Sequence, residues 1–360
     1  MTTTPLSAFH NEHGARWIDF AGWQMPLQYT GILNEHQAVR TASGLFDVSH
    51  MGEVHVSGPD AGKYLDYLTP NSPSKLNKGQ ALYSCFCLES GGIIDDLIIY
   101  CRGSEDFLIC VNAGNRDKDL TWMRQHTTPF DCTVEDCSDN YALLALQGPL
   151  AIDILSSLSS SPLEDLARFT FIETSVAGIP TLLSRTGYTG EDGFELYAPA
   201  DQGESLARAL YQAGQNKGLQ LCGLGSRDSL RLEVGYPLYG HELSETISPL
   251  QAGLGWIVPK GKTTDYIGKA ALAKERAEGL KQSIRHFIIN DRRIARPGTP
   301  VLQQGHVIGE VVSGTLSPIL NQAIGAALIR SKDLDLTGLY VELRGTQLPL
   351  QIKKPPLHQA

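Results

Sequence analysis

The sequence predicts an α+β fold divided among more than one domain. Its 360 residues exceed what one ordinary hydrophobic core accommodates, so two or three domains follow. Hydrophobic residues make up 42% and charged residues 19%, the balance of a folded globular chain. Strand-like and helix-like patterns alternate as far as Lys281. From Ser283 to Lys354, turn signals recur at roughly ten-residue spacing: Arg296-Pro-Gly298, Gln303-Gln-Gly305, Leu316-Ser-Pro318, Thr337-Gly338 and Arg344-Gly345. That spacing is the pattern of a small all-β barrel or sandwich.

The elements follow in order. Glu35–Arg40 has helical character and ends near Gly44. Glu53–Ser57, Ala81–Leu88, Ile93–Arg102 and Asp106–Asn112 are rich in β-branched and aromatic residues and predict strands. Leu120 and Met123 stand at helical spacing within Arg116–Gln125. Asp139–Leu146 predicts a strand closed by Gly148-Pro149, and Ser156–Ser161 a surface loop or helix end. Pro180–Thr186 and Gly193–Tyr197 are strands around a Gly-rich loop, Gln202–Gln212 is a helix, and Lys260–Lys281 is a basic helical segment before the β-rich end.

A formal charge of −9 argues against a nucleic-acid partner, which selects for a basic surplus. The first ten residues carry neither a secretory nor a transit pattern, and no run approaches about 18 apolar residues, so no membrane span is expected. Seven cysteines, an odd number mostly inside apolar runs, predict reduced core thiols and a cytoplasmic setting. Cys85-Phe86-Cys87 lacks the second ligand pair that a zinc site requires.

The stretch Gly91-Gly-Ile-Ile-Asp-Asp-Leu-Ile-Ile-Tyr100 sets two carboxylates inside an apolar strand. Strand residues alternate in direction, so Asp96 shares a face with Ile94, Ile98 and Tyr100, and Asp95 shares the other with Ile93, Leu97 and Ile99. A carboxylate in such surroundings persists only if it is paired, hydrogen-bonded or functional. If Ile93–Arg102 and Asp106–Asn112 form a hairpin around Gly103-Ser-Glu105, Arg102 faces Asp106 and counting back sets Asp96 opposite Asn112. Cross-strand neighbours lie about 5 Å apart at Cβ, so acid and amide would share one patch. Asn112 as a cap for the following helix is the other reading.

Further signatures accompany that strand: Asp19-Phe-Ala-Gly-Trp-Gln-Met-Pro26, Gly44-Leu-Phe-Asp-Val-Ser-His-Met51, Ser184-Arg-Thr-Gly-Tyr-Thr-Gly-Glu-Asp-Gly-Phe-Glu195 and Gly223-Leu-Gly-Ser-Arg-Asp-Ser-Leu-Arg-Leu-Glu233. Asp265-Tyr-Ile-Gly-Lys269, Gly309–Pro318 and Lys353-Lys-Pro355 follow. In this order and spacing the chain resembles, over essentially its whole length, the aminomethyltransferase family, the T-proteins of the glycine cleavage system. The resemblance implies an α+β cloverleaf of three domains around a central hole for tetrahydrofolate, ending in a small β-barrel or jelly roll. The expected domains are 1–50 with 139–244, 51–138 with 245–278, and 279–360.

The same resemblance implies Asp96 as the catalytic carboxylate and Tyr100, Asn112, Tyr188, Glu195 and Arg227 as folate-binding residues. Chemistry supports Glu195, since a carboxylate can accept two parallel hydrogen bonds from a 2-amino-4-oxopyrimidine edge. Arg227 stands at a helix start, where anions are favoured; a salt bridge to Asp228 is the competing role. Ser226 replaces the family's usual Ala, Tyr266 its common Phe, and Pro356 an aromatic.

The implied reaction takes an aminomethyl group from the lipoyl arm of an H-protein partner, releases ammonia and yields 5,10-methylenetetrahydrofolate. The carbon does not change oxidation level, so no metal, flavin or nicotinamide is expected, and Gly223-Leu-Gly225 lacks the third glycine of a dinucleotide fingerprint. A folate-dependent demethylase of the same fold is a rival. A non-enzymatic folate-binding protein of iron–sulfur maintenance is another, although it would carry Lys-Gly-Cys-Tyr-x-Gly-Gln-Glu where this chain has Tyr236-Pro-Leu-Tyr-Gly-His-Glu242. Lys260, Lys262, Arg285, Arg292, Arg293 and Arg296 are candidate local cations for H-protein or a folate glutamate tail, against the alternative of a solvated face.

Overall fold

The computed structural model describes residues 1–330 and 336–359; of the expected barrel domain, 331–335 and 360 lie outside the described residues. The chain forms two compact units, each assembled from separated segments. One comprises Met1–Leu65, Pro73–Tyr83 and Leu97–Arg227, the other Asp66–Ser72, Ser84–Asp96 and Asp228–Ala360.

The first unit is built on a six-stranded sheet ordered Phe171–Val176, Ile179–Ser184, Gly193–Pro199, Tyr141–Gln147, Ser43–Asp47, Leu219–Cys222. Pairing is antiparallel except between Leu219–Cys222 and Ser43–Asp47. Tyr141–Gln147 is buried from Ala142 onward, as a central strand covered on both faces must be. The helix Gly203–Gly214 turns Leu206, Ala207 and Leu210 into the core with Leu144, Leu196 and Phe194.

A five-stranded sheet runs Ala81–Cys87, Ile93–Gly103, Asp106–Val111, Gly52–Ser57, Thr133–Asp136. The strand Ile93–Gly103 passes from the second unit into the first between Asp96 and Leu97. Its pairing with Asp106–Val111 keeps the expected register from Leu97–Val111 to Cys101–Phe107. The turn differs from expectation: Gly103, not Arg102, faces Asp106, and the register shifts between Cys101 and Gly103. Arg102 extends instead to Glu173, at 2.8 Å.

The second unit contains a closed barrel, one of the two all-β forms that the turn spacing predicted. Its six strands run Gln282–Ile289, Gln322–Arg330, His306–Ser317, Pro300–Gln303, Leu339–Leu343, Thr346–Ile352, all antiparallel. Closure leaves no edge strand. Phe287, Ile289, Val301, Val311, Ile329, Val341 and Leu350 fill the interior. A bulge between Val311 and Ser313 re-aims Ser313, whose hydroxyl accepts from the buried Arg231 at 2.9 Å. Arg231 also binds Glu242, at 2.8 Å, and Asp228, at 2.8 Å. With those partners, burying its charge is tolerable. The basic segment before the barrel contains one helix, Lys269–Glu278.

Candidate active site

Glu195 lies on Gly193–Pro199 in a row across the six-stranded sheet: Ser184, Glu195, Ala145, Phe46, Cys222. It is 7% exposed. Thr186 donates to its Oε2 at 2.5 Å. Burial pushes the carboxyl upward from the ordinary glutamate range, opposed by that hydrogen bond and by the Arg227 guanidinium. The Tyr197 hydroxyl donates to the Tyr100 hydroxyl at 3.1 Å. Tyr100 is fully buried and meets Tyr197 and Phe171 edge to face.

The loop between Ile179–Ser184 and Gly193–Pro199 is held by Gln147, which is fully buried. Its amide donates to Thr186 O at 3.1 Å and Phe194 O at 3.3 Å, and its Oε1 accepts from Thr189 at 3.0 Å. Glycine is required where the loop lies on that amide: a Cβ at Gly187 would sit 1.9 Å from Gln147 Oε1. Arg40 and the Arg185–Asp192 pair pin the flanks. Tyr188, half-buried, emerges from this frame, and the Arg227 guanidinium carbon stands 4.6 Å from its ring centroid.

Arg227 occupies the first turn of the helix Leu224–Glu233. A buried carboxylate, Glu35, fixes that start: Oε1 accepts the N–H groups of Tyr29, Thr30 and Gly31, and Oε2 that of Gly223 at 2.9 Å. Ser226, the departure from Ala, adds a tie, since its hydroxyl donates to Gly223 O at 2.9 Å and lies 3.4 Å from Glu35 Oε2. The expected competition from Asp228 does not arise, because Asp228 bridges Arg231 and Arg227 makes no salt bridge among the described residues.

Asp95 is fully buried and Asp96 half-buried, on the opposite faces that alternation along the strand sets. Asn112 follows directly on Asp106–Val111; its carbonyl accepts from Asn115 N–H at 2.9 Å, and its side chain makes no capping bond. Hairpin pairing ends at Leu97–Val111, one step short of Asp96 and Asn112. The reading of Lys262 as a surface cation is overturned. It is buried, and its ammonium donates to the carbonyls of Asp66, Thr69 and Asn71 at 2.5–2.8 Å. Those three acceptors hold a loop and leave nothing for a partner. Arg293 is paired with Asp291 at 2.8 Å, whereas Lys260, Arg285, Arg292 and Arg296 are exposed.

Sequence reasoning singled out neither Thr186, Tyr197, Gln147 nor Glu35. Each acts through folding-dependent neighbours, and none has a local signature. All seven cysteines are free thiols, all but Cys132 buried. Among the described residues no helix is long and apolar enough to cross a membrane.

A buried carboxylate with a threonine donor, near a guanidinium set over a tyrosine ring, gathers the acceptor, donor and flat surface that polar small-molecule sites use. Comparison with known proteins gives that class a family. Residues 6–262 match the model of the GCVT N-terminal domain, and residues 283–359 that of the glycine cleavage T-protein C-terminal barrel domain. The chain is 44% identical over 358 residues to an aminomethyltransferase of Bacillus pumilus, covering 99% of this chain and 98% of the relative. Against the aminomethyltransferase of Halothermothrix orenii, identity is 48% over 330 residues, 92% of each chain. The crystal structure of glycine cleavage system aminomethyltransferase T from Bartonella henselae superposes with a TM-score of 0.92 at 33% identity, covering 99% of this chain and 98% of that one. The chain belongs to the glycine cleavage T-protein family of aminomethyltransferases.

Proposed function

We infer that this chain catalyses tetrahydrofolate-dependent aminomethyl transfer: ammonia leaves an aminomethyl group carried on the lipoyl arm of H-protein, and 5,10-methylenetetrahydrofolate forms. The observation that carries the reading is Glu195, a buried acceptor to which Thr186 donates and on which the Arg227 guanidinium acts. That pair suits a reduced pterin, whose ring N–H and exocyclic amino group present two donors side by side. Tetrahydrofolate supplies the nucleophilic nitrogens that receive the one-carbon unit.

The protein's part is binding, orientation and proton handling. Glu195 accepts the pterin's donor edge, while Tyr188 and Arg227 form a flat wall that restricts the ring to one plane. Tyr100 is fully buried and packs edge to face on Tyr197 and Phe171. Asn112 adds a polar contact, and Asp96 is assigned the proton transfer that accompanies ammonia loss and ring closure. The half-buried position of Asp96, beside a fully enclosed Asp95, supports that division of labour.

Mixing the purified protein with aminomethylated, lipoylated H-protein and tetrahydrofolate tests the assignment. Ammonia should appear only when both are present, with one equivalent of methylenetetrahydrofolate. Folate-dependent demethylation of an N-methyl amine without any lipoyl carrier would overturn it in favour of the demethylase reading.

A further inference from the structure

The tight turn between Ser43–Asp47 and Gly52–Ser57 places His50, 4% exposed, in the first unit alongside Arg227. Its ring is held edge to face against Phe20, with centroids 5.5 Å apart. The carboxylate that acts on it, Asp47, is already committed: Oδ2 to His10 at 2.7 Å and Oδ1 to the Ser49 N–H at 2.9 Å. No hydrogen bond to either imidazole nitrogen exists among the described residues, and Nδ1 is completely enclosed. An enclosed nitrogen without a partner is uncommon, and the other nitrogen, Nε2, is the one that a ligand can reach.

The charge state and tautomer follow from the surroundings. Burial, and then the Arg227 guanidinium, push the imidazole down to about 4 against the weaker opposing pull of Asp47, so the ring is neutral at physiological pH. A neutral imidazole carries one proton. An enclosed nitrogen without a partner is tolerated better as a bare acceptor than as an orphaned N–H donor. The proton therefore belongs on Nε2, the nitrogen not enclosed, and Nε2–H is a free donor.

We propose that His50 is a further ligand-contacting residue of this site, donating from Nε2 to a carbonyl oxygen of the bound reduced folate. The inference rests on the folate reading above. Arg227 and His50 then supply two donors, one charged and one neutral, opposite the acceptor Glu195, so the site distinguishes a donor edge from an oxygen-bearing edge of one ligand.

Two variants and one spectroscopic measurement test this. His50→Phe keeps a ring against Phe20 and removes both nitrogens; calorimetry should show tetrahydrofolate binding weakened about tenfold, with the melting temperature of the free protein unchanged or raised. His50→Gln, which keeps a donor, should recover part of that loss. In the wild type labelled with ¹⁵N-histidine, the His50 signals should report the Nε2–H tautomer and shift on saturation with tetrahydrofolate. Unchanged affinity in His50→Phe, or ¹⁵N signals indifferent to saturating tetrahydrofolate, would overturn the role of His50 and leave the folate reading intact. Absence of tetrahydrofolate binding by the wild type would overturn the folate reading, and this inference with it.

Discussion

Replacing Glu195 by glutamine should move ligand affinity and protein stability in opposite directions. In the ligand-bound site the carboxylate accepts two hydrogen bonds from a heterocycle shielded from water. The amide of Glu195→Gln would keep one acceptor, still fed by Thr186, and turn an N–H toward a ligand N–H. Loss of one charge-assisted bond is worth about 1.5–3 kcal/mol, so tetrahydrofolate affinity should fall roughly ten- to hundredfold. The free protein should respond the other way. Burial raises the Glu195 carboxyl above its unfolded value, so the folded state holds a proton that the unfolded state has released. Stability is therefore lost as pH rises from the unfolded glutamate pKa, ordinarily near 4.3, through the folded one. Glutamine does not titrate. The variant should be at least as stable as wild type at pH 7–8, and its melting temperature should decline less between pH 4 and 8. Calorimetric titration with tetrahydrofolate and thermal melts across that range measure both effects. Unchanged affinity, or a variant less stable than wild type at pH 8, would refute the reasoning.

The aspartate pair should separate by role. Asp96→Asn should lower turnover about 10²–10⁴-fold, the range for loss of a proton-transfer group, with little change in melting temperature. Asp95→Asn, at a fully buried position, should act mainly on melting temperature; equal loss of turnover in both sinks the assignment. Lys262→Met removes a buried ammonium from three backbone carbonyls. Chemical denaturation should show a loss of about 2–4 kcal/mol, since bonds to charged groups contribute about 1.5–3 kcal/mol each and methionine returns part as packing. The KM for H-protein should stay unchanged, and a raised KM at preserved stability would restore Lys262 to a docking surface.

Much of the architecture was legible because it depends on local pattern. The helix Arg116–Gln125 and the strand starts at Ala81, Ile93, Asp106 and Gly193 agree with the structure, since apolar period and turn residues define them. The turn spacing after Ser283 marked a small all-β barrel or sandwich for the same reason, and the barrel is what forms. Other elements carried no such mark. Ser43–Asp47 is fully buried and has a Gly at its second position, so it shows no alternation to read. The hairpin of Arg16–Phe20 and Trp23–Gln28 turns through Ala21 and Gly22, both at positive φ, a conformation that Ala does not announce. At the site, charged residues in motifs were legible and their supports were not. Glu35 looked like an ordinary helical glutamate, yet its role depends on Gly223, far along the chain. Lys262 failed in the opposite sense, because a lysine near other cations reads as surface until three carbonyls are found around it.

The parallel pairing of Leu219–Cys222 with Ser43–Asp47 also has a consequence for how the chain is made. The first unit needs residues from both ends of a stretch reaching to Arg227, and segments of the second unit interrupt it. A cut after Arg227 keeps the first unit whole but carries Asp66–Ser72 and Ser84–Asp96 of the second with it, so no single cut separates the two units cleanly. During synthesis the strand Ser43–Asp47 leaves the ribosome long before its parallel neighbour. At about 5–20 residues per second the wait is on the order of ten seconds or more. Over that interval a segment destined for complete burial has one edge without its eventual partner, and that edge, rather than the finished fold, is where demand for chaperones should concentrate.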